Sequence, residues 1–285
     1  MGTVATHSKG PKGDRRFVIG RFPGFAATSW LFLLYLYVPI VLLIIFSFNS
    51  SRSATVWHGF SLEWYVKAFA NDDVQRAAIN SLIVAFSATV VGTVVAVFAA
   101  LILARGGRFR GRGLSYGVLM LPMTMPEIVT AVATLSFFTA LHLDIGLGRV
   151  VLAHTVFCIP FAFLPIRARL QGMDTTLEQA AQDLYADEWR TFRYVTLPLL
   201  MPGIISGAML SFIISIDDFI ITLMVAPAGS TTLPLYIYGM VRMGVTPEVN
   251  ALSTVMLAIS LIFVSASYLI GRKRHGGRGQ GAVSR

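Results

Sequence analysis

Charged residues and cysteine are scarce in this chain. Only 13% of its 285 residues are charged, about half the share of a soluble domain, and its mean hydropathy is +0.70. The single cysteine, Cys158, lies in an apolar run, which excludes an intrachain disulfide and favours a packing role. No GxxxxGK[ST] loop occurs and the five histidines show no metal-ligand spacing. We therefore expect no cofactor bound by this chain, and any ATP hydrolysis would belong to another chain.

Long hydrophobic runs dominate instead, since 55% of the residues are hydrophobic. A membrane-spanning helix needs roughly 20 apolar residues, and six runs of that order occur. They cover residues 29–48, 78–104, 114–141, 147–165, 199–226 and 251–270. The first is too long for a signal-peptide core and no cleavage site follows it. The sequence predicts an all-α polytopic membrane protein with six transmembrane helices in a lipid bilayer.

The net charge of +9 first suggests nucleic-acid binding, but the basic residues cluster at the ends of the apolar runs. Eighteen of the 23 Lys and Arg residues fall on one side of a six-span topology. By the positive-inside rule, that side is cytoplasmic. We expect no nucleic acid partner, and we expect basic cytoplasmic tails at 1–28 and 272–285 around a membrane domain at 29–271.

A polar segment at residues 173–198 interrupts the apolar runs on the predicted cytoplasmic side. The composition of this segment predicts a helix with two faces. Carboxylates such as Glu178 lie on the solvated face, and the other face is apolar. The apolar face comprises Ala180, Ala181, Leu184, Trp189 and Phe192. Asp174 or Thr175 is expected to cap its start and Pro198 to end it. Such a face suits a groove in a soluble partner, whereas a helix lying on lipid would carry Lys and Arg on its polar face.

Three carboxylates fall inside apolar runs, and a carboxylate at the bilayer centre is costly. Asp217 and Asp218 lie in the fifth run, and Glu127 follows Pro126, where we expect the third helix to break. At 100° per residue Asp217 points away from Asp218, which shares a stripe with Gly203, Gly207, Ser211, Ser215 and Thr222. These acids either line a path for a cationic substrate or are structural groups held by hydrogen bonds.

The polar segment resembles the cytoplasmic coupling-helix loop of ABC importer permeases, whose signature is EAA, three residues, G, nine residues and I-x-L-P. In this chain Gln179-Ala180-Ala181 stands at the EAA positions and Tyr185 at the G position. Val195 and Leu197-Pro198 stand at the I-x-L-P positions. The resemblance implies the type I ABC importer permease fold. It also implies that Gln179, Ala180, Ala181, Leu184, Tyr185, Trp189, Leu197 and Pro198 contact an ATPase subunit. Tyr185 replaces the usual Gly, so we expect an altered turn or contact there.

The blocks MPEIV, SIDDFIIT and TPEVNALST narrow the resemblance to the spermidine/putrescine subclass of these permeases. The resemblance implies a bacterial inner membrane location and alternating access. Its partners would be a second permease subunit, two copies of an ATPase subunit that binds ATP and Mg²⁺, and an extracytoplasmic polyamine-binding protein. Glu127, Asp217 and Asp218 would lie on the substrate path or gate.

Two other functions compete with this interpretation. A stand-alone secondary transporter or channel for organic cations would not explain the polar segment, and no inverted repeat supports it. An intramembrane aspartyl protease would need two carboxylates that share a proton at about 3 Å. Adjacent helix positions such as Asp217 and Asp218 diverge, which argues against this enzyme.

Overall fold

The computed structural model describes residues 24–51, 56–107 and 109–275. Within these residues the secondary structure is helical, apart from one bridge between Asn49 and Phe60. The helices are α1 Phe25–Ser47, α2 Glu63–Ala70, α3 Asp72–Ala104, α4 Arg112–Thr124, α5 Glu127–Ala140, α6 Leu147–Gln171, α7 Thr176–Asp183, α8 Glu188–Thr191, α9 Leu197–Asp217, α10 Ile220–Val225, α11 Leu233–Met243 and α12 Pro247–His275. A π-helical turn, Phe192–Thr196, joins α8 to α9.

Five helical segments of the described chain are long and apolar enough to cross a membrane. They are 26–47, 72–104, 147–171, 188–217 and 247–265. The pair α4 and α5, bent by 109° at its break, passes the same test and brings the number to six. The predicted break before Glu127 is confirmed, and α4 ends at Thr124 with Pro126 preceding α5.

The chain divides into two compact units, Met1–Ile45 and Phe46–Arg285. In the first unit α1 begins at Phe25, so the helix starts within the predicted tail at residues 1–28. At the other end α12 continues to His275, past the predicted limit of 271. The rest of both predicted tails lies outside the described residues.

In the second unit α3, α6 and α9 pack against one another. Their contact faces carry small residues, whereas large apolar side chains of α3 such as Ile79, Phe86 and Phe98 face outward. A Cβ atom on Gly207 would lie 2.6 Å from the carbonyl oxygen of Ala162, so only glycine allows α9 to approach α6 this closely. Small residues inside and large ones outside are typical of helices packed in lipid.

The fifth predicted span is not one continuous helix, and two predictions about it were wrong. Pro198 does not end the polar segment, because α8, the π-helical turn and α9 form one apolar helical run from Glu188 to Asp217. The run then stops at Asp218, whose backbone is extended, and α10 begins at Ile220. Pro198 stands two residues after the π-helical turn, where the hydrogen-bond pattern of the run changes, so the absence of its N–H group is tolerated.

Candidate functional site

The polar segment folds as two short helices, each started by an aspartate. Asp174 Oδ1 accepts a hydrogen bond from the backbone N–H of Thr176 at 2.9 Å, and Asp187 Oδ1 accepts one from Arg190 at 2.7 Å. The bond to Thr176 lowers the pKa of Asp174 from its ordinary value, because the N–H group stabilises the ionised carboxylate. Asp174, rather than Thr175, therefore caps α7.

The end of α7 is a Schellman turn with a tyrosine in the position that usually holds glycine. The N–H of Ala186 donates to Ala181 O at 3.0 Å, and that of Tyr185 to Gln182 O at 2.9 Å, the bond pattern of this motif. Tyr185 has φ +62°. Tyrosine thus adopts here the left-handed conformation that glycine usually supplies, at a cost of about 1–2 kcal/mol.

The polar segment presents large apolar side chains to the outside. We call Leu184, Tyr185 and Trp189 the apolar patch, because 81%, 95% and 69% of these residues are exposed. Gln179, Ala180 and Pro198 are also exposed, whereas Ala181 and Leu197 are partly buried. Large apolar side chains exposed on a segment that is otherwise polar indicate a protein-binding surface.

Asp218 is buried in a cluster of hydrogen bonds between the broken helices. Its Oδ2 accepts from the N–H and the Oγ1 of Thr222, each at 3.0 Å, and lies 3.1 Å from His154 Nε2. His154 also contacts Thr222 Oγ1 at 2.9 Å and, through Nδ1, Ser215 Oγ at 2.8 Å. Asp218 thus supplies acceptors for the start of α10, where backbone N–H groups are left unpaired.

Glu127, at the start of α5, lies next to this cluster, because its carboxyl group is close to that of Asp218. The hydrogen bonds of the cluster join the middle of α6 to the break between α9 and α10, and Glu127 places the break between α4 and α5 beside them. Glu127 is partly exposed, whereas only 6% of Asp218 is.

Asp217 points elsewhere, as the helical spacing predicts. It is exposed and accepts a bond from Ser260 Oγ of α12 at 3.1 Å. It borders a cavity of about 70 Å³ whose other described lining residues are uncharged, among them Leu82 and Met256. The two adjacent aspartates therefore do not form the pair that an aspartyl protease needs.

Sequence reasoning missed His154, whose ring is within hydrogen-bonding distance of a buried carboxylate, Asp218. Any ionisable side chain inside an apolar run indicates a polar partner, as a carboxylate does. His154 carries this signal in the sequence. Glu178 was also misplaced, because it turns from the solvated face toward the helix bundle, with 18% of its side chain exposed.

Among the described residues, no group of three or more His, Cys, Asp or Glu side chains is arranged to hold a metal ion. His154 and Asp218 are engaged with each other and with the hydroxyl groups of Ser215 and Thr222. The arrangement is suited to holding helices together in an apolar medium.

Comparison with known proteins identifies the family. Residues 92–275 match the family described as "Binding-protein-dependent transport system inner membrane component". The chain belongs to this family. The match covers the polar segment, the hydrogen-bond cluster and Asp217, so all the candidate site residues of this permease lie within the family region.

Two curated relatives are similar to almost the whole permease. One is the spermidine/putrescine transport system permease protein PotC of Haemophilus influenzae, 41% identical over 253 residues, which are 88% of this chain and 98% of that protein. Another is the putrescine transport system permease protein PotI of Escherichia coli K12, 39% identical over 84% of this chain and 87% of that protein. The predicted resemblance to this subclass is confirmed, and the chain is a transport subunit, not an enzyme.

A solved structure shares the fold at low identity. The permease matches a chain from the crystal structure of a bacterial ABC transporter involved in the import of the acidic polysaccharide alginate. The TM-score is 0.69 at 16% identity, covering 87% of this chain and 93% of that one. The predicted ABC importer permease fold is therefore confirmed.

We expect His154→Ala to destabilise the permease by about 3 kcal/mol, because it leaves buried Asp218 without its imidazole partner. The matched control is Thr155→Val on the same helix, since the Thr155 hydroxyl bonds only to Val151 O of its own helix in the described contacts. Denaturant unfolding of the detergent-solubilised protein measures both. Equal stability of the two variants would show that the His154 contacts carry no net stabilisation.

We expect Tyr185→Gly to strengthen the end of α7 by about 1 kcal/mol, because glycine adopts the left-handed conformation without a Cβ clash. Hydrogen exchange of the Tyr185 and Ala186 amides should then slow about fivefold. Tyr185→Ala removes the same ring but keeps the Cβ, so its amides should exchange at the wild-type rate or faster. If amide exchange slowed equally in both variants, the left-handed conformation of Tyr185 would not be strained.

Proposed function

We propose that this permease imports polyamines, putrescine or spermidine, as one half of a heteromeric translocation path. A second permease subunit supplies the other half, two copies of an ATPase subunit hydrolyse ATP, and an extracytoplasmic binding protein delivers the amine. The chain binds no cofactor of its own, since ATP and Mg²⁺ bind to the ATPase. Both termini and the polar segment lie in the cytoplasm, in keeping with the excess of Lys and Arg on that side.

The apolar patch is the observation that carries the ATPase part of this proposal. Leu184, Tyr185 and Trp189 are largely exposed although they lie in a polar segment, and a hydrophobic groove in a soluble subunit would bury them. The Schellman turn at Tyr185 holds α7 and α8 at a defined angle, so the patch is preformed. Closure of the ATPase pair would push this segment and rearrange the spans by alternating access.

The polyamine part is supported by the names of the two relatives and by the environment of Asp217. An exposed carboxylate beside apolar residues Leu82 and Met256 matches an ammonium group on a methylene chain. The carboxylate of Asp218 is already occupied by contacts with Thr222 and His154. Its role is therefore to maintain the fold near the path. Glu127 is partly exposed and stands as a gate residue at the break of α4 and α5.

We expect Leu184→Ser to weaken binding of the ATPase subunit about tenfold or more, because it removes an apolar side chain from the contact surface. The permease itself should keep its stability, since Leu184 is 81% exposed. Met243→Ser is the matched control: Met243 is 86% exposed but lies on α11, away from the polar segment. Co-purification from detergent measures binding. Unchanged retention of the ATPase in Leu184→Ser would argue against docking through the apolar patch.

We expect ATP-driven uptake of labelled putrescine and spermidine by the reconstituted complex, and Asp217→Asn should raise KM about tenfold through loss of a charge-assisted contact. Asp144→Asn, which removes an exposed carboxylate between α5 and α6, is the control. If neither amine is taken up or competes for uptake, the polyamine proposal fails. If Asp217→Asn transports like the control, Asp217 lies off the path and the polyamine proposal remains.

A further inference from the structure

Glu178 is the exception among the carboxylates of the polar segment. Asp174, Asp183, Asp187 and Glu188 are exposed, whereas Glu178 is partly buried. The helix that carries it, α7, has no buried residue. Side-chain attachment of α7 to the helix bundle therefore depends strongly on the contacts of this one carboxylate.

Those contacts reach two membrane-spanning helices at once. Glu178 Oε1 accepts a hydrogen bond from Thr196 Oγ1 at 3.0 Å, and Thr196, in the π-helical turn that leads into α9, is 5% exposed. Glu178 Oε2 lies 3.7 Å from Arg105 Nε, at the end of α3. Only 25% of the Arg105 side chain is exposed, so solvent screens this ion pair less than an open surface pair.

Arg105 extends the link to a third spanning helix. Its Nη2 donates to Leu170 O and Met173 O, both at 3.4 Å, where α6 ends and its carbonyl groups lack helical partners. One carboxylate and one guanidinium thereby connect α7 to the ends of α3 and α6 and to the start of α9. These three helices form the packed centre of the bundle.

We propose that Glu178 is a positioning residue that transmits movement of the polar segment to α3, α6 and α9, and so couples ATP hydrolysis to transport. This inference rests on the proposed ATPase docking. Because the contact set spans four elements, a push on α7 moves the ends of all three spanning helices together. Without it, α7 is joined to the bundle mainly through its flanking chain, and its displacement is absorbed there.

The test uses the reconstituted complex with its ATPase, binding protein and second permease subunit, and measures polyamine uptake per ATP hydrolysed. In Glu178→Gln the ATPase should co-purify at the wild-type level and hydrolysis should stay within about twofold. Uptake per ATP should fall about tenfold, because glutamine cannot pair with Arg105 by charge. Asp183→Asn, which removes an exposed carboxylate from the same helix, should leave the ratio unchanged.

Thr196 provides a second, independent readout. Thr196→Val removes the hydroxyl donor at nearly constant volume and should also lower uptake per ATP, whereas Thr196→Ser should keep the wild-type ratio. In the double variant Glu178→Ala/Thr196→Val the loss should equal that of Glu178→Ala alone, since both act through one contact. Additive losses would overturn the shared role.

Two other results overturn the proposal. A Glu178→Gln complex that couples uptake to hydrolysis as well as Asp183→Asn does would remove Glu178 from transmission. Loss of ATPase co-purification in Glu178→Gln would show that the residue determines docking affinity instead. Failure of the proposed function itself is distinguishable, because the wild-type complex would then show no ATPase binding or no amine-dependent uptake.

Discussion

The hydrogen-bond cluster around Asp218 is the interaction on which the membrane part of this permease depends. A helix that breaks inside hydrocarbon leaves N–H and C=O groups without water to satisfy them. The chain breaks twice, between α4 and α5 and between α9 and α10, and Glu127 and Asp218 lie at these breaks. His154 of α6 joins Asp218 to Ser215 and Thr222. The cost of the break between α9 and α10 is offset by this set of polar contacts.

The apolar medium also determines how closely the helices pack against one another. Because lipid offers no hydrophobic gain for packing large apolar side chains inside, close contact has to come from small residues. Gly203 and Gly207 lie against Arg169 and Ala162, with no room for a Cβ atom. The stripe of α9 that carries these glycines continues through Ser211 and Ser215 toward the cluster. One face of α9 thus provides both the close helix packing and hydrogen-bonding groups for the cluster.

Sequence patterns predicted the fold well where a single physical rule decides the outcome. Hydropathy located the spans, Pro126 indicated the broken helix, and the motif spacing indicated the family. The errors arose where the outcome depends on an irregular backbone or on contacts between distant segments. That Pro198 sits inside a helical run depends on the π-helical turn before it. The partnership of His154 with Asp218 joins residues 64 positions apart, and no local periodicity encodes it.

The site shows the same division. Asp217 and Asp218 are neighbours in the sequence with opposite surroundings, one exposed beside Ser260 and one buried beside His154. The 100° spacing predicted their divergence but not which of them is accessible. That depends on the break after Asp217, which ends α9 and lets Asp218 turn into the bundle. The left-handed Tyr185 is likewise a backbone property that residue preference argued against.

The π-helical turn Phe192–Thr196 sets the rotation of the polar segment about the helix axis relative to the bundle. Such a turn contains one residue more than an α-helical turn, so it offsets the helix before it by about 100° from the helix after it. Trp189 faces outward while Thr196 faces inward within the same helical run. Deleting one residue from this turn would yield a more regular helix with nearly the same composition. It would also rotate α8 and α7 about the axis of α9, so chain length here is constrained as tightly as residue identity.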